Sequence, residues 1–329
     1  MTVRRYDGVA AVPAGLGPTV VTVGMFDGVH LGHRALLDRV AAEAAARGVP
    51  AAAVTFDRHP LAVLRPGSEP PLLTTLDRKV ELLGQAGVEV VLVLAFTPEL
   101  SQVGAEAFAA DVLFDGLGAR AVVVGENFRF GHKAAGDPDL LVDLGRPRGI
   151  EVVAVGLHAN GGHVVSSTRV RAELAAGDVA AAAASLGRPH AVEGVVIAGN
   201  RRGGPVLGMP TANLDLPAGI AIPADGVYAG HLTDEADPRA RPAAVSVGTN
   251  PQFGTERRRV EAHVLDFDGD LYGHRVSVGF AHRLRGQAVF ADVEELAAQM
   301  RADVDQARRL LASPPGGTVR SGGLSRPTP

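Results

Sequence analysis

Cysteine and tryptophan are absent from this chain of 329 residues, and its 32 basic residues include only two lysines, Lys79 and Lys133. Without thiols there is no disulfide, no thiolate metal site and no cysteine nucleophile. A secreted disulfide scaffold and a zinc ribbon are excluded, and a reducing cytoplasm fits. Neither lysine stands in a G-x-x-x-x-G-K-[ST] loop, so a nucleoside triphosphate would have to be met by arginine, histidine, backbone amides and metal ions. Aromatic residues make up 4 % of the chain, too few for base-stacking platforms. The balance of 32 basic against 36 acidic residues gives a net charge of −4, no general positive field for nucleic acid or an anionic membrane. No apolar run approaches the roughly 18 residues of a membrane span, and residues 1–14 lack the apolar stretch of a signal peptide. A soluble, cytoplasmic protein is expected, with no nucleic-acid or membrane partner.

What is present suits two domains, at roughly 150 residues each. Up to residue 186 short β-branched runs alternate with amphipathic, alanine-rich segments, the pattern of β-α-β units around a parallel sheet. Residues 20–23, 51–56, 88–96, 121–124 and 150–155 read as strands, and 76–86 and 105–117 as helices. A further helix after the first strand stops at Gly48. Doubly wound α/β sheets bind ligands at the carboxyl ends of their strands, so the loops after Val23, Phe56 and Val124 are the places to seek chemistry. Beyond Gly187 alternating apolar residues and frequent turns take over. Residues 192–198, 226–232, 243–247, 260–267 and 275–280 recur at intervals suited to an antiparallel barrel or sandwich. Asp292 can then cap a helix with Val293, Leu296, Met300, Val304, Ala307 and Leu311 on one face. The expected division is 1–186, 187–312 and a disordered tail over 313–329, which is Pro, Gly and Ser with little to bury.

The decapeptide Gly24-Met25-Phe26-Asp27-Gly28-Val29-His30-Leu31-Gly32-His33 follows a strand and opens a helix. Its glycines let backbone approach a ligand at a positive helix end, where phosphate is the natural guest. His30 and His33, three apart, project to one side of the first turn, where they can stabilise charge growing on a leaving pyrophosphate. A plain glycine turn with two surface histidines is the alternative. The coincidence of strand, glycines, histidine pair and helix start favours a site.

This segment resembles the H-x-G-H signature of the Rossmann-like nucleotidyltransferases, and its form G-x-F-D-G-V-H-x-G-H resembles that of the prokaryotic bifunctional riboflavin kinase and FAD synthetase family. The resemblance extends over nearly the whole chain before the tail. Thr55-Phe56-Asp57-Arg58-His59-Pro60 is similar to the family's T-F-x-P-H-P, with Arg58 in place of proline. Residues 124–131, with Asn127 and Arg129, match V-G-x-x-F-x-F-G, and Ser166-Ser167-Thr168-Arg169-Val170-Arg171 matches S-S-T-x-I-R. An Asn and an Arg in a loop after a strand can read a nucleobase or phosphate. Ser166 or Ser167 can simply cap the next helix, yet the hydroxyls of Ser166, Ser167 and Thr168 with free amides and the bidentate guanidinium of Arg171 also form a phosphate site, the reading that the histidine motif favours.

In the second half Gly199, Gly203, Gly204 and Gly208 lead into Met209-Pro210-Thr211-Ala212-Asn213. The stretch resembles the riboflavin kinase G-x-x-x-G-R-x-L-G-F-P-T-A-N motif, which implies a flap over nucleotide phosphates at Gly199 and Gly208 and magnesium held by Thr211 and Asn213. Gly204-Pro205 stands where the family has Arg, with one residue extra, and Met209 replaces an aromatic. Glu261, which shares a strand face with His263 and Leu265, matches the position that carries the family's general base. Residues 247–254 and 271–273 also resemble kinase segments.

The implied architecture is α/β plus β: a Rossmann-like nucleotidyltransferase domain, then a riboflavin-kinase-like antiparallel β-barrel with a C-terminal helix. The implied substrates are ATP, riboflavin and FMN, with magnesium accompanying ATP, FMN as intermediate and FAD as product. Glu261, His30 and His33 are the expected catalytic residues. The expected nucleotide-binding set is Gly24, Phe26, Asp27, Gly28, Gly32, Asn127, Arg129, Ser166, Ser167, Thr168, Arg171, Gly199 and Gly208. Two other readings stand beside it: an FMN adenylyltransferase alone, its kinase flap altered, and a flavin- or nucleotide-binding regulator without turnover. An oligomer is left open.

Overall fold

The computed structural model describes residues 3–156, 159–160, 163–198, 209–250 and 255–312. The flap with Gly199 and Gly208, residues 251–254 and the expected disordered tail lie outside these residues. The chain divides into two compact units, Met1–Val192 with Leu216–Pro223, and Glu193–Asp215 with Ala224–Pro329.

The first unit is built on six parallel strands, β1 (Arg4–Asp7), β2 (Thr19–Val23), β3 (Ala51–Phe56), β4 (Val90–Leu94), β5 (Ala119–Gly125) and β6 (Glu151–Val155), in the order β1-β4-β3-β2-β5-β6. Its helices are α1 (Leu31–Arg47), α2 (Leu61–Leu64), α3 (Leu76–Gln85), α4 (Pro98–Ser101), α5 (Ala105–Phe108), α6 (Pro138–Gly145), α7 (Ser167–Ala175) and α8 (Val179–Leu186). The central strands β2 and β4 are buried along their whole length, which is why β4 reads as a continuous apolar run and β2 as a continuous β-branched one rather than either alternating. β1 was not expected: Arg-Arg-Tyr-Asp is short, mostly exposed and charged, the way an edge strand is protected, so it carries no apolar signal. The expected helix over 105–117 is α only to Phe108 and continues as a π-helix over Ala109–Phe114. The strand order reverses between β2 and β5, so the loops leaving these two neighbours flank the crevice where such sheets take ligands.

After the two-residue pair β7 (Ala159–Asn160) and β8 (His163–Val164), the second unit is a closed barrel, which settles barrel against sandwich. Its strands are β9 (His190–Ile197), β10 (Ala212–Asp215), β11 (Gly226–Asp234), β12 (Arg241–Asn250), β13 (Thr255–Val264) and β14 (Arg275–Arg285), in the order β10-β13-β12-β11-β14-β9. β10, missed as an element, lies inside the P-T-A-N motif and pairs with β9 and β13. The last helix, α9 (Val293–Leu311), is capped by Asp292, whose side chain accepts from Glu295 N–H. It packs Val304, Ala307 and Leu311 on Ala229, Ala244 and Leu265. The buried Asp303 on α9 accepts Arg285 Nε (3.0 Å) and Nη2 (2.7 Å) and Gln299 Nε2 (2.9 Å). Breaking such a buried pair from one side typically costs 3–5 kcal/mol, at the order of magnitude.

Candidate active sites

The turn after β2 is held in a conformation that side chains ordinarily avoid. Phe26 (φ 48°), Gly28 (φ 79°) and Val29 (φ 38°) are all left-handed. For a β-branched residue such as Val29 this is strained, and strain of this kind persists only where surroundings impose it. The surroundings are visible. Phe26 is 1 % exposed, and its ring lies where a Cβ on Gly24 would come within 3.1 Å. A Cβ on Gly28 would stand 2.7 Å from Leu73 Cδ1.

Asp27 does most of the tethering. Its buried carboxylate accepts Leu73 N–H (2.9 and 3.1 Å), Thr74 N–H (3.3 Å) and Arg171 Nη2 (2.6 Å). Its backbone carbonyl accepts Ser167 Oγ (2.9 Å). Arg171 also gives Nε to Pro71 O (2.7 Å). Asp27 and Arg171, expected to face nucleotide, therefore spend these groups on the protein itself. Ser166 is the N-cap of α7, accepting Arg169 N–H, so the cap reading holds for its hydroxyl. Thr168 is exposed in the first turn of α7. Gly32 is needed by contact, since a Cβ there would meet Val165 O at 3.0 Å and the His30 ring at 3.1 Å.

His30 caps α1, its Nδ1 accepting His33 N–H at 3.2 Å. With Nδ1 as acceptor, the neutral ring carries its proton on Nε2 as a donor. The two rings stack, centroids 3.6 Å apart at 16°, and Phe26 meets His33 edge-on. Burial first, then the Arg188 and Arg171 charges, lowers the His30 pKa to about 4. Burial, His30 and Lys79 push His33 well below the ordinary imidazole value. Part of His33 reaches the surface, yet its Nδ1 is sealed from solvent with no hydrogen-bond partner among the described residues. Both imidazoles are thus neutral at pH 7 and can act on phosphate as hydrogen-bonding groups rather than as cations.

The loop after β5 carries Asn127 and Arg129, both exposed, with Arg129 Nη1 donating to Phe128 O at 2.8 Å. Lys133 is exposed too. The other lysine is the informative one. Lys79 is 5 % exposed and its Nζ donates to Phe56 O (2.8 Å) and Met25 O (3.2 Å), joining the ends of β3 and β2, while burial lowers its pKa to about 8. Its signal was periodicity: Leu76, Lys79, Val80 and Leu83 share one helical face, an apolar face with one ammonium in it. Thr55 Oγ1 also donates to Met25 O (3.1 Å). His59 Nδ1 accepts Leu61 N–H (3.2 Å), and Arg58, standing in place of a proline, pairs with its neighbour Asp57 at 2.8 Å.

In the barrel, register assembles the second constellation. Asn213 on β10 is paired with Glu261 on β13, and Glu261 with Ser246 on β12. Alternation along the paired strands puts Asn213, Glu261 and Ser246 on the outer face, while Ala212 and Ala262 face inward, and Thr211 immediately precedes β10. Asn213 Nδ2 donates to Thr211 O at 3.3 Å, which leaves Oδ1 as the acceptor. Burial raises the Glu261 pKa, with Arg259 pulling the other way. A hydroxyl and an amide oxygen are hard donors that fit magnesium, an ion that usually takes few protein ligands and fills its octahedron with phosphate oxygens and water. Among the described residues no cluster of three or more His, Asp or Glu side chains is arranged to hold a metal alone.

Comparison with known proteins finds two families along the chain. Residues 13–169 match the FAD synthetase family and residues 186–311 the riboflavin kinase family. The chain is 39 % identical over 294 residues to a bifunctional riboflavin kinase/FMN adenylyltransferase of Pseudomonas fluorescens, covering 89 % of this chain and 93 % of that one. It is 35 % identical over 292 residues to the protein of the same name from Escherichia coli K12, covering 89 % and 92 %. A crystal structure described as a macrolide-efflux protein from Streptococcus pneumoniae superposes with a TM-score of 0.84 at 29 % identity, over 93 % of this chain and 99 % of that one. No helix among the described residues is long and apolar enough to cross a membrane. With both family segments present in order and identity of this level over nine-tenths of its length, the chain belongs to the bifunctional riboflavin kinase/FMN adenylyltransferase family.

Proposed function

We propose that the chain phosphorylates riboflavin to FMN at the barrel face of Glu261 and adenylylates FMN to FAD at the His30–His33 loop. The observation that carries this division is that the two sets of reactive side chains fall in different compact units, His30 and His33 in one, Thr211, Asn213 and Glu261 in the other.

In the first reaction the ribityl 5′-hydroxyl oxygen attacks the γ-phosphorus of ATP, the bond to the β-phosphate oxygen breaks and ADP leaves. The hydroxyl is neutral, so its proton must go somewhere. Glu261 accepts it, and burial, by raising the carboxylate's proton affinity, makes it a better base than a solvated glutamate. Thr211 and the Asn213 Oδ1 would hold magnesium, which supplies charge neutralisation on the nucleotide phosphates.

In the second reaction an oxygen of the FMN phosphate, already ionised at neutral pH, attacks the α-phosphorus of ATP and pyrophosphate leaves. No base is needed. Positioning and donors aimed at the growing charge are needed, and the His30 Nε2–H at the start of α1 supplies one that is rigidly aimed by its Nδ1 bond to His33 N–H. The adenylyltransferase-only reading finds no support, since relatives match across both units.

The test is to separate the reactions by mutation in the intact chain, resolving flavins by chromatography after incubation with ATP and magnesium. Glu261→Gln should lower riboflavin phosphorylation by about 10²- to 10⁴-fold, the usual contribution of a positioned base, and leave FMN-to-FAD conversion unchanged. His30→Ala with His33→Ala should do the reverse. If each variant, still folded, lost both activities, the division would be wrong.

A further inference from the structure

Arg188 follows the glycine that stops α8 and stands inside the segment whose sequence matches riboflavin kinases. Its guanidinium serves the other reaction's loop. Nη2 donates to Gly28 O at 2.6 Å, and Nη1 to Val29 O at 3.2 Å and Leu186 O at 3.4 Å. All these partners lie in the first unit, as Arg188 does. Gly28 and Val29 are two of the three left-handed residues of the turn, so one fork of donors fixes two consecutive peptide planes in the strained segment immediately before His30. No carboxylate pairs with this guanidinium among the described residues, so its charge is left to act locally. Its effect is felt at His30, where Arg188 is the leading charge, ahead of Arg171, in opposing protonation of the ring.

We infer that Arg188 is a positioning residue for FMN adenylylation: by clamping the Gly28 and Val29 carbonyls it aims His30 and the amides at the start of α1. This rests on the reading that the 24–33 loop carries that reaction. Two consequences distinguish it from a residue that merely helps the fold. The loss on mutation falls on one of two activities measured in the same preparation. It also changes the protonation of His30 in step with the charge at position 188, so that lysine keeps part of what alanine loses.

The experiment uses the full chain with Arg188→Ala and Arg188→Lys, beside the His30→Ala, His33→Ala double variant. Arg188→Ala should lower kcat for FMN adenylylation by roughly 10- to 100-fold, the scale of one to two charge-assisted hydrogen bonds, with riboflavin phosphorylation at the wild-type rate. Lysine keeps the charge and can reach one carbonyl, so Arg188→Lys should recover part of the loss. Proton NMR of the His30 ring should show its pKa moving up from about 4 in Arg188→Ala and less so in Arg188→Lys. Wild-type adenylylation in Arg188→Ala, an unmoved His30 titration, or an equal loss of kinase activity overturns the inference. If the double-histidine variant itself retains full adenylylation, the fault lies in the assignment of the loop, and the two failures are told apart.

Discussion

Asp27→Asn is a demanding perturbation because it changes almost no volume and removes one charge. The carboxylate receives three donors, Leu73 N–H, Thr74 N–H and Arg171 Nη2. The amide that replaces it has one accepting oxygen and one donating NH₂ group. Whichever way the amide turns, a donor is left facing a donor: Arg171, if the oxygen stays on the Leu73 and Thr74 amides, or those amides, if it turns to Arg171. The Asp27 and Arg171 side chains are only 4 % and 14 % exposed, so water repairs little of this. An unsatisfied buried donor costs about 1–3 kcal/mol, and a buried pair broken from one side about 3–5 kcal/mol in total. A stability loss of about 3–5 kcal/mol is therefore expected, a large part of the 5–15 kcal/mol typical of a folded domain. Urea unfolding followed by circular dichroism measures it, and flavin chromatography on the same samples should show FMN adenylylation falling while riboflavin phosphorylation persists below the unfolding transition. A double-mutant cycle with Arg171→Met should return a coupling of at least about 1 kcal/mol. Asp27→Asn within about 1 kcal/mol of the parent, with normal FAD formation, would refute the idea that this carboxylate holds the loop.

Stability should also fall with acid. His30 and His190 are buried with pKa values lowered to about 4. A histidine so depressed favours the fold fully above its ordinary value near 6.5 and loses that advantage as pH falls from about 6.5 to about 4. At about 1.4 kcal/mol per pH unit, each accounts for about 3 kcal/mol, and His33 adds in the same direction. A flat unfolding free energy between pH 7 and pH 4.5 contradicts it. Asn213→Ala removes the amide oxygen opposite Glu261 and should raise the magnesium concentration needed for FMN formation; magnesium titrations of the initial rate decide this.

Reactive residue types were easier to read from the sequence than their directions. The loop at 24–33 was legible because strand, glycines and paired histidines fall in ten consecutive residues. Where Asp27 points was not, because its orientation is set by Arg171, 144 positions away, and by backbone amides that carry no sequence signature. Lys79 betrayed itself only by sitting on the apolar face of α3. Arg188 had no local signal at all, since its meaning lies in two carbonyls about 160 residues earlier. In the barrel, Glu261 and Asn213 were each recognisable by motif, but their pairing across β10 and β13 is a matter of register, which alternation alone cannot assign. β1 and β10, each four residues, are too short for periodicity to reveal.

The excursion of residues 216–223 into the first unit has a consequence for how such a protein can be cut or recombined. Leu72 N–H donates to Gly219 O (2.7 Å), Ala221 N–H donates to Leu72 O (2.8 Å), and the buried His190 shares a hydrogen bond with Ala221 O (2.9 Å). The strip holding Leu72 is the one whose next two amides seat on Asp27. A single crossover between residues 192 and 216, the natural place to splice one gene segment to another, would thus hand the first unit over with an open backbone edge beside the strip that seats Asp27. Chimeras that exchange the second unit should keep 216–223 from the parent of the first, making two junctions where the linear order of the motifs suggests one.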